Sequence, residues 1–368
     1  MRRRTLLAAG LAAGTPFPVL AQARQRPVVV AQVFDASPQE QDVAKDFLIG
    51  SRAAWQDINA RGGLRGRPVQ HLNVEVDGTP ASIRKAWQEL KDNEACIALS
   101  GTVSDPVATQ LTALLRQDAQ AMAHVAPWLQ NASVEADDRT FPIFASRQDQ
   151  IAHALKSLSV IGVSEVGAVF ASAREHDLSR DDVARSAAEL KLRMVPFRNT
   201  GDLSRLGQGL GPGSPALLLF VGGTPELVQF TQGLDRQSRQ RYVIALADVN
   251  LQTVTQMGGG RTTPIIATQA VPMVTASLPV VRRYREVMAR LFDEPPVALS
   301  LAGFIAARYT FEVLQKIDGA LTRQSVLAAF QRRAEMDVGG YRVAFNEQRR
   351  SATFVTQTLL TADGRVVG

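Results

Sequence analysis

Residues 57–69 read DINARGGLRGRPV and connect a helix pattern to a strand pattern. Apolar residues recur at helical spacing from Val43 to Ile58, which predicts a helix over residues 42–60. The Gly-Gly pair within the stretch is a typical helix end, and residues 68–75 are predicted to form a strand. The stretch therefore ends one helix and begins the next strand of an α/β protein.

The same alternation extends in both directions from this stretch. Continuous apolar runs predict buried strands, and helical spacing predicts the helices between them. The predicted strands cover residues 27–33, 96–99, 121–125, 166–170, 192–197, 216–221, 242–246 and 265–269, and predicted helices begin at Thr79, Asp105, Ser179, Thr224, Leu278, Ala298 and Thr322. Repeated β-α units predict doubly wound parallel sheets. Residues 207–215 are predicted to be a loop, and residues 341–345 and 353–361 to be antiparallel strands.

The composition excludes several classes of protein. The chain has 368 residues, 45% of them hydrophobic, which suits two domains with large cores. The single cysteine, Cys96, excludes an intramolecular disulfide, a cysteine-based zinc site and an iron–sulfur cluster. It lies in a strand pattern, which favours a core role. The four histidines lack metal-binding spacing, so we expect no metal and no cofactor.

Residues 1–23 are predicted to be a signal peptide. They combine three arginines, a short apolar stretch and an Ala-x-Ala end. The alternative, a buried first helix, is disfavoured because glycines and prolines interrupt the segment. Arg3-Arg4 also fits a twin-arginine signal, so ordinary secretion and twin-arginine export both stay open.

The net charge depends on this segment. The full chain carries +6 with a sequence pI of about 9.8, which would suggest nucleic-acid binding. Removing residues 1–23 halves the net charge to +3, and the remaining basic residues are interspersed with acidic ones. No lipid-anchor cysteine and no later membrane-spanning run is found. We therefore expect a soluble, exported protein without a nucleic-acid partner.

Residues 57–69 closely resemble a segment of the type I periplasmic solute-binding proteins, the leucine/isoleucine/valine-binding branch that serves ABC importers. Weaker matches follow in the family's order along residues 27–368: residues 77–80, 99–104 and 141–150, Pro272, Tyr284 and residues 304–307. The resemblance implies two doubly wound parallel-sheet lobes joined by a three-crossing hinge. One lobe would combine residues 26–147 with 272–328, and the other residues 148–271 with 329–368.

The resemblance also implies a function without catalysis. A monomer in the periplasm would close its lobes on a small solute and pass it to an ABC permease in the membrane. The candidate ligand-binding residues are Phe34, Ser37, Thr102, Val103, Ser104, His124, Trp128, Thr224 and Asp248.

Most of these residues follow the carboxyl ends of predicted strands, where ligands of α/β sheets bind. Thr102 and Ser104 precede a helix N-terminus, which suits a carboxylate, while Asp105 is expected to cap that helix. The family's carboxylate site falls on residues 102–104, and Asp248 could pair with an ammonium group. The alternative for Asp248 is a helix N-cap.

Several of these candidate residues also have a purely structural interpretation. Trp128 could stack on a ligand ring or simply pack, and His124 could be an ordinary strand-end histidine. Phe34 and Ser37 could be ordinary loop residues. Residues 123–128 lack the hydroxyls usual in the family, which argues against a plain branched-chain amino acid and leaves a carboxylate, an aromatic acid, a dicarboxylate or an amide open.

Enzyme motifs are missing from the sequence. It has no nucleophile elbow and no phosphate-binding P-loop, and residues 207–212 depart from the dinucleotide fingerprint. Glu175, His176 and Asp177 fall where the family often places an aromatic residue, and as a charged group they are better explained as a solvated loop. Two alternatives to import stay open: an exported module that presents solute to a receptor kinase, and an exported α/β hydrolase.

Overall fold

The computed structural model describes residues 28–160, 162–199, 201–351, 354–361 and 365–367. The predicted signal peptide lies outside these ranges. Within them, no helix is both long and apolar enough to cross a membrane.

The first sheet is built entirely from parallel pairs. Its strands are β1 (Val28–Asp35), β2 (Val69–Val76), β3 (Cys96–Ser100), β4 (Ala123–Val125) and β5 (Thr140–Phe141), and its order is β2-β1-β3-β4-β5. The helices between the first strands are α1 (Gln41–Ala60), α2 (Pro80–Asp92) and α3 (Asp105–Gln117). One hydrophobic cluster covers the face under α1, and a second covers the face under α2 and α3.

The second sheet repeats this plan. Its elements are α4 (Arg147–Val160), β6 (Glu165–Phe170), α5 (Ala173–Glu189), β7 (Arg193–Arg198), α6 (Leu203–Gly209), β8 (Leu217–Val221), α7 (Thr224–Leu234), β9 (Tyr242–Ala245), α8 (Leu251–Gln256) and β10 (Ile265–Gln269). These five strands pair in parallel, and separate clusters again cover the two faces of the sheet.

The chain then returns to the first sheet before it ends in the second. The remaining elements are α9 (Pro279–Leu291), α10 (Ala298–Gln315), α11 (Arg323–Gln331), β11 (Met336–Val338), β12 (Tyr341–Val343), β13 (Thr356–Leu360) and β14 (Val366–Val367). Helices α10 and α11 pack on the first sheet, and α9 packs on α1 and α10, whereas β13 and β14 extend the second sheet in antiparallel fashion. The predicted fold class is confirmed: two doubly wound lobes, between which the chain passes three times.

The helix end in residues 57–69 owes its shape to one asparagine and one glycine. The Asn59 side chain donates from Nδ2 to the Val69 carbonyl (2.7 Å) and accepts at Oδ1 from the Val69 amide (2.8 Å), which ties α1 to the start of β2. Gly63 has φ +67°, and a Cβ there would lie 2.1 Å from the Arg67 carbonyl oxygen. The local sequence therefore specifies this connection.

Helices α1 and α10 approach each other at two glycines. A Cβ on Gly50 would lie 1.6 Å from the Ser300 carbonyl oxygen, and one on Gly303 would lie 1.9 Å from the Phe47 carbonyl oxygen. Larger side chains at either position would separate the two helices and weaken the core of the first lobe.

Helix α5 begins earlier than the predicted position Ser179. Ser172 caps it by accepting from the Glu175 amide (3.1 Å), and Ser179 is buried within the helix. The expectation of a solvated loop at Glu175, His176 and Asp177 was therefore wrong, because β6 ends only two residues before the cap.

Two other local predictions concern the loop at residues 207–215 and the single cysteine, Cys96. Helix α6 ends within the segment 207–215, at Gly209, so residues 210–215 form the predicted loop. Cys96 is fully buried, and burial raises the pKa of its thiol to about 11, which suits a core residue.

Candidate functional site

A cavity of about 190 Å³ lies between the two lobes. It opens where β3, β6, β8 and β9 end and their loops meet helix N-termini, the usual ligand position of doubly wound sheets. Its lining residues are Gln39, Glu40, Val43, Asp105, Pro106, Arg147, Ala171, Ser172, Arg174, Glu175, Gly222, Gly223, Glu226, Leu246 and Asp248. Both lobes therefore contribute side chains to one space.

Arg147 lies at the first position of α4 and is 13% exposed. Its guanidinium lies 3.3 Å from the Glu175 carboxylate and 3.4 Å from the Asp248 carboxylate. Burial alone would lower the pKa of Arg147, but the charges of Glu175, Asp248 and Asp105 raise it on balance. Arg147 is therefore a permanent cation that is already shared by two acids.

Asp105 lies in the first turn of α3 and is 7% exposed. Its Oδ1 accepts from the backbone amides of Gln130 (2.7 Å) and Asn131 (2.9 Å). Burial raises the pKa of this carboxyl group, although Arg147 and the two amides act in the opposite direction. The expected capping role is not observed, because the carboxylate holds the loop after β4 instead.

Glu40 directly precedes α1 and faces the same cavity. Burial raises the pKa of its carboxyl group to about 8, and the neighbouring carboxylates of Asp248 and Asp35 act in the same direction. The cavity is therefore an acidic environment in which an isolated carboxylate is costly.

Two hydrogen bonds join the lobes beside the cavity. The Trp128 indole Nε1 donates to Asp248 Oδ1 (2.7 Å), and Asn250 Nδ2 donates to Asp46 Oδ2 (2.6 Å). Burial raises the pKa of Asp46 to about 6. Since each bond joins the two lobes, the lobes are in contact around the cavity.

The model of a family described as "Periplasmic binding protein" matches residues 27–358. The chain belongs to the periplasmic binding protein family. This confirms the family resemblance that residues 57–69 predicted. No curated protein matches the chain closely in sequence.

Solved structures of periplasmic binding proteins share this fold at low sequence identity. An extracellular ligand-binding receptor from Verminephrobacter eiseniae has a TM-score of 0.84 and 16% identity, and the match covers 93% of this chain and 100% of that one. A substrate-binding periplasmic protein from Ralstonia solanacearum has a TM-score of 0.80 and 19% identity, with 92% and 99% covered. A possible leucine/isoleucine/valine-binding protein from Rhodopirellula baltica has a TM-score of 0.79 and 19% identity, with 93% and 96% covered.

Among the predicted ligand-binding residues, Asp248 lines the cavity. It is not the N-cap of α8, because Asn250 holds that position and accepts from Gln252 and Thr253. The Thr224 hydroxyl is buried and accepts from the Asn250 amide (3.0 Å), so it positions the loop that carries Asp248.

The predicted carboxylate loop lies behind the cavity wall. Thr102, Val103 and Ser104 are fully buried, and Ser104 Oγ donates to Asp35 Oδ2 (3.0 Å). Thr102 Oγ1 is buried and has no hydrogen-bond partner among the described residues. A solute would reach these hydroxyls only if the neighbouring side chains moved.

The remaining predicted residues surround that loop. Trp128 is 1% exposed and its ring packs against Phe47 and Phe144, while His124 is buried within β4, where desolvation lowers its pKa to about 4. Phe34 packs against the core, and the Ser37 amide donates to Asp35. These residues build the wall, and their contact with a solute stays a prediction.

Sequence reasoning did not select Glu40, Arg147, Arg174 or Glu226, which all line the cavity. Glu40 and Glu226 lie at helix N-termini after β1 and β8, so the rule that ligands bind at strand ends could have found them. The rule does not select Arg147. This residue follows the short strand β5, and no sequence pattern predicted that strand.

Within the described ranges, no group of three or more histidine, cysteine, aspartate or glutamate side chains is placed to hold a metal ion. The carboxylates are spread over the cavity wall and balanced in part by arginines, so the arrangement suits binding of an organic solute.

Proposed function

We propose that the protein is exported and captures a small solute between its two lobes for delivery to an ABC import permease. The observation that carries this proposal is the cavity to which both lobes contribute polar side chains at their strand ends. The sequence leads us to expect a carboxylate or an amino-acid-like molecule as the solute. Residues 26–147 with 272–328 would move as one lobe, and residues 148–271 with 329–368 as the other.

Hinge closure is the mechanism that we propose. The Trp128–Asp248 and Asn250–Asp46 bonds exist only when the lobes are together. A solute between the lobes adds contacts to the closed state alone and shifts the equilibrium toward it. The permease would then recognise the closed form, and no covalent step is needed.

The unpartnered hydroxyl of Thr102 supports a role for residues 102–104. A buried hydroxyl without a hydrogen-bond partner is rare and costly, because desolvation is not compensated. A solute oxygen that reached Thr102 Oγ1 would satisfy it. This would require Trp128, whose amide donates to the Thr102 carbonyl (2.8 Å), to shift with its loop.

A thermal-shift screen of the purified protein tests solute binding. A solute at a hundredfold excess over its Kd stabilises the folded state by about 2.7 kcal/mol, which raises the melting temperature measurably. The panel consists of amino acids, amines, aromatic acids and dicarboxylates. A panel that leaves the melting temperature unchanged throughout contradicts the proposal.

The double variant Thr102→Ala with Ser104→Ala tests the predicted loop. It should weaken binding of the solute found in the screen without unfolding the protein. Thr109→Ala with Ser157→Ala, on α3 and α4, removes the same groups elsewhere and serves as the control. Equal affinity in both double variants would exclude residues 102–104 from the site. Loss of uptake in cells that lack the protein would test delivery to a permease.

A further inference from the structure

We propose that the cavity selects a small cationic solute, an amine that carries no free carboxylate. This inference rests on the proposed function, because it names the chemistry of the solute that the same cleft would bind. It departs from the carboxylate or amino-acid-like solute expected from the sequence, because it keeps the amino group of such a molecule and excludes the carboxylate.

The charge of the cavity wall points to this class. Five carboxyl groups, those of Glu40, Asp105, Glu175, Glu226 and Asp248, face two guanidiniums, so acids outnumber bases even when Glu40, whose pKa is raised to about 8, is protonated. Arg147 is already shared between Glu175 and Asp248 at 3.3 and 3.4 Å. The other guanidinium, Arg174, belongs to an exposed residue. An incoming anion would therefore face an excess of negative charge, whereas a cation would be attracted.

Asp105 gives a second and independent indication. It is 7% exposed, and both backbone donors in contact with its carboxylate bind the same oxygen, Oδ1. Its Oδ2 accepts no hydrogen bond from any residue in the described part of the chain, although the residue lines the cavity. Since this oxygen is not itself buried, it is open to the cavity, where it can accept from an ammonium N–H group of a solute.

The size of the cavity limits the amine. At about 190 Å³ it is smaller than the roughly 300–1,000 Å³ usual for ligand sites, so it suits a molecule of a few carbon atoms. Gly222 and Gly223 form part of the wall, which leaves room for a short chain near Glu226.

Three probes with the same four-carbon chain test the inference: 1,4-diaminobutane, 4-aminobutanoate and succinate, which carry charges of +2, zero and −2 near pH 7. Isothermal titration at low salt should show the tightest binding for the diamine and none for succinate. Binding of succinate, or no binding of the diamine and of n-butylamine, overturns the inference.

The outcome also separates this inference from the proposed function. If amines fail but a carboxylate or an amino acid binds, the cleft is a solute site of another charge class. If no member of the whole panel binds, the proposed function fails as well.

Two neutralising variants locate the amine. Asp105→Asn should weaken diamine binding about thirtyfold or more, because it removes the charge partner of a buried ammonium group. Glu40→Gln should weaken it roughly tenfold at pH 9, where the Glu40 carboxyl group is ionised and the diamine still positively charged, and it remains informative if Asp105→Asn does not fold, since the Glu40 side chain does not cap α1. Asp181→Asn, whose side chain is 79% exposed on α5, makes the same change of net charge away from the cavity and should bind normally. Wild-type affinity in both cavity variants overturns the inference.

Discussion

Two buried charge clusters in this protein have opposite compositions. Asp57 in α1 is 1% exposed and is surrounded by three guanidiniums, those of Arg61 (3.5 Å), Arg283 and Arg290 (3.3 Å). Arg147 is 13% exposed and is surrounded by carboxylates, chiefly those of Glu175 and Asp248. One cluster is a single anion among cations, and the other is a single cation among anions.

The difference lies in where the excess charge is placed. Arg61 and Arg290 are more than half exposed, so water solvates the surplus positive charge, and the Asp57 cluster is complete as a link between α1 and α9. The surplus carboxylates near Arg147 face the cavity between the lobes instead. A cluster completed by solvent stabilises the fold, whereas one left incomplete inside a cleft is suited to a ligand.

The largest effect is expected for Arg147→Gln. Removal of the shared cation leaves Glu175, Asp248 and Asp105 without compensation, which should cost about 3 kcal/mol in the free energy of unfolding at pH 7. Urea denaturation measures the loss, and it should be smaller at pH 5, because burial raises the pKa of Asp105 and favours protonation of that carboxyl group at lower pH.

The control for this variant is Arg185→Gln. Arg185 pairs with Asp182 in an exposed pair on α5, so its loss should cost about 0.5 kcal/mol or less. If both variants lost equal stability, the charge of Arg147 would not be needed to stabilise the acids around it.

Asp57→Asn should have the next largest effect, about 2 kcal/mol, because the charges that it leaves are partly solvated. Burial alone would raise the pKa of Asp57, but the hydrogen bonds and charges of Arg283 and its neighbours lower it on balance. Its stabilising contribution is therefore complete above pH 4, near the unfolded value, and is lost as the pH falls below it.

Asp138→Asn is the matched comparison, since Asp138 also contacts two arginines but is 67% exposed. Urea denaturation of both variants at pH 7 and pH 3 should show a difference between them at pH 7 that shrinks at pH 3. A difference that is independent of pH would mean that Asp57 acts through packing and not through charge.

Trp128→Phe tests the contact between the lobes next to Arg147. The variant keeps an aromatic ring beside Phe47 and Phe144 but removes the indole donor to Asp248, at a cost of about 1.5 kcal/mol. Small-angle scattering of the solute-free protein should show a larger average radius, because the closed state loses one bond. An unchanged radius and stability would show that this bond does not hold the lobes together.

Glu40→Gln should give the smallest change in stability at pH 5, at most about 1 kcal/mol, where the Glu40 carboxyl group is protonated in the folded protein, and the change should grow as the pH rises. The carboxyl group faces Asp248, Asp35 and Asp105 as well as Arg174, and its pKa rises from 4.5 to about 8 on folding. The wild type should therefore lose stability as the pH rises from 4.5 through 8, while the variant should not. Melting temperatures of both proteins from pH 5 to pH 9 test this, and parallel curves would contradict it.

The sequence predicted the fold more completely than the site. Most strand positions, the helix end at Gly62-Gly63 and the antiparallel end of the chain follow from local patterns, because strand and helix periods are properties of short segments, whereas the short strands β5, β11 and β14 were not predicted. The start of α5 was missed because its cap at Ser172 depends on how soon the chain leaves β6. Of the predicted ligand residues, Asp248 lines the cavity. Several of the others are buried in the wall behind it, which the sequence did not indicate.

Local sequence thus determined the α/β alternation, the connection at residues 57–69 and, through that connection, the family. Only the tertiary structure decided which charges share one space. Glu40, Asp105, Arg147, Glu226 and Asp248 come from five separate loops and helix ends, and no periodicity relates them. Their proximity depends on how two sheets are wound and how the lobes meet. Electrostatic interactions depend on distance and burial, and the order of residues along the chain specifies neither.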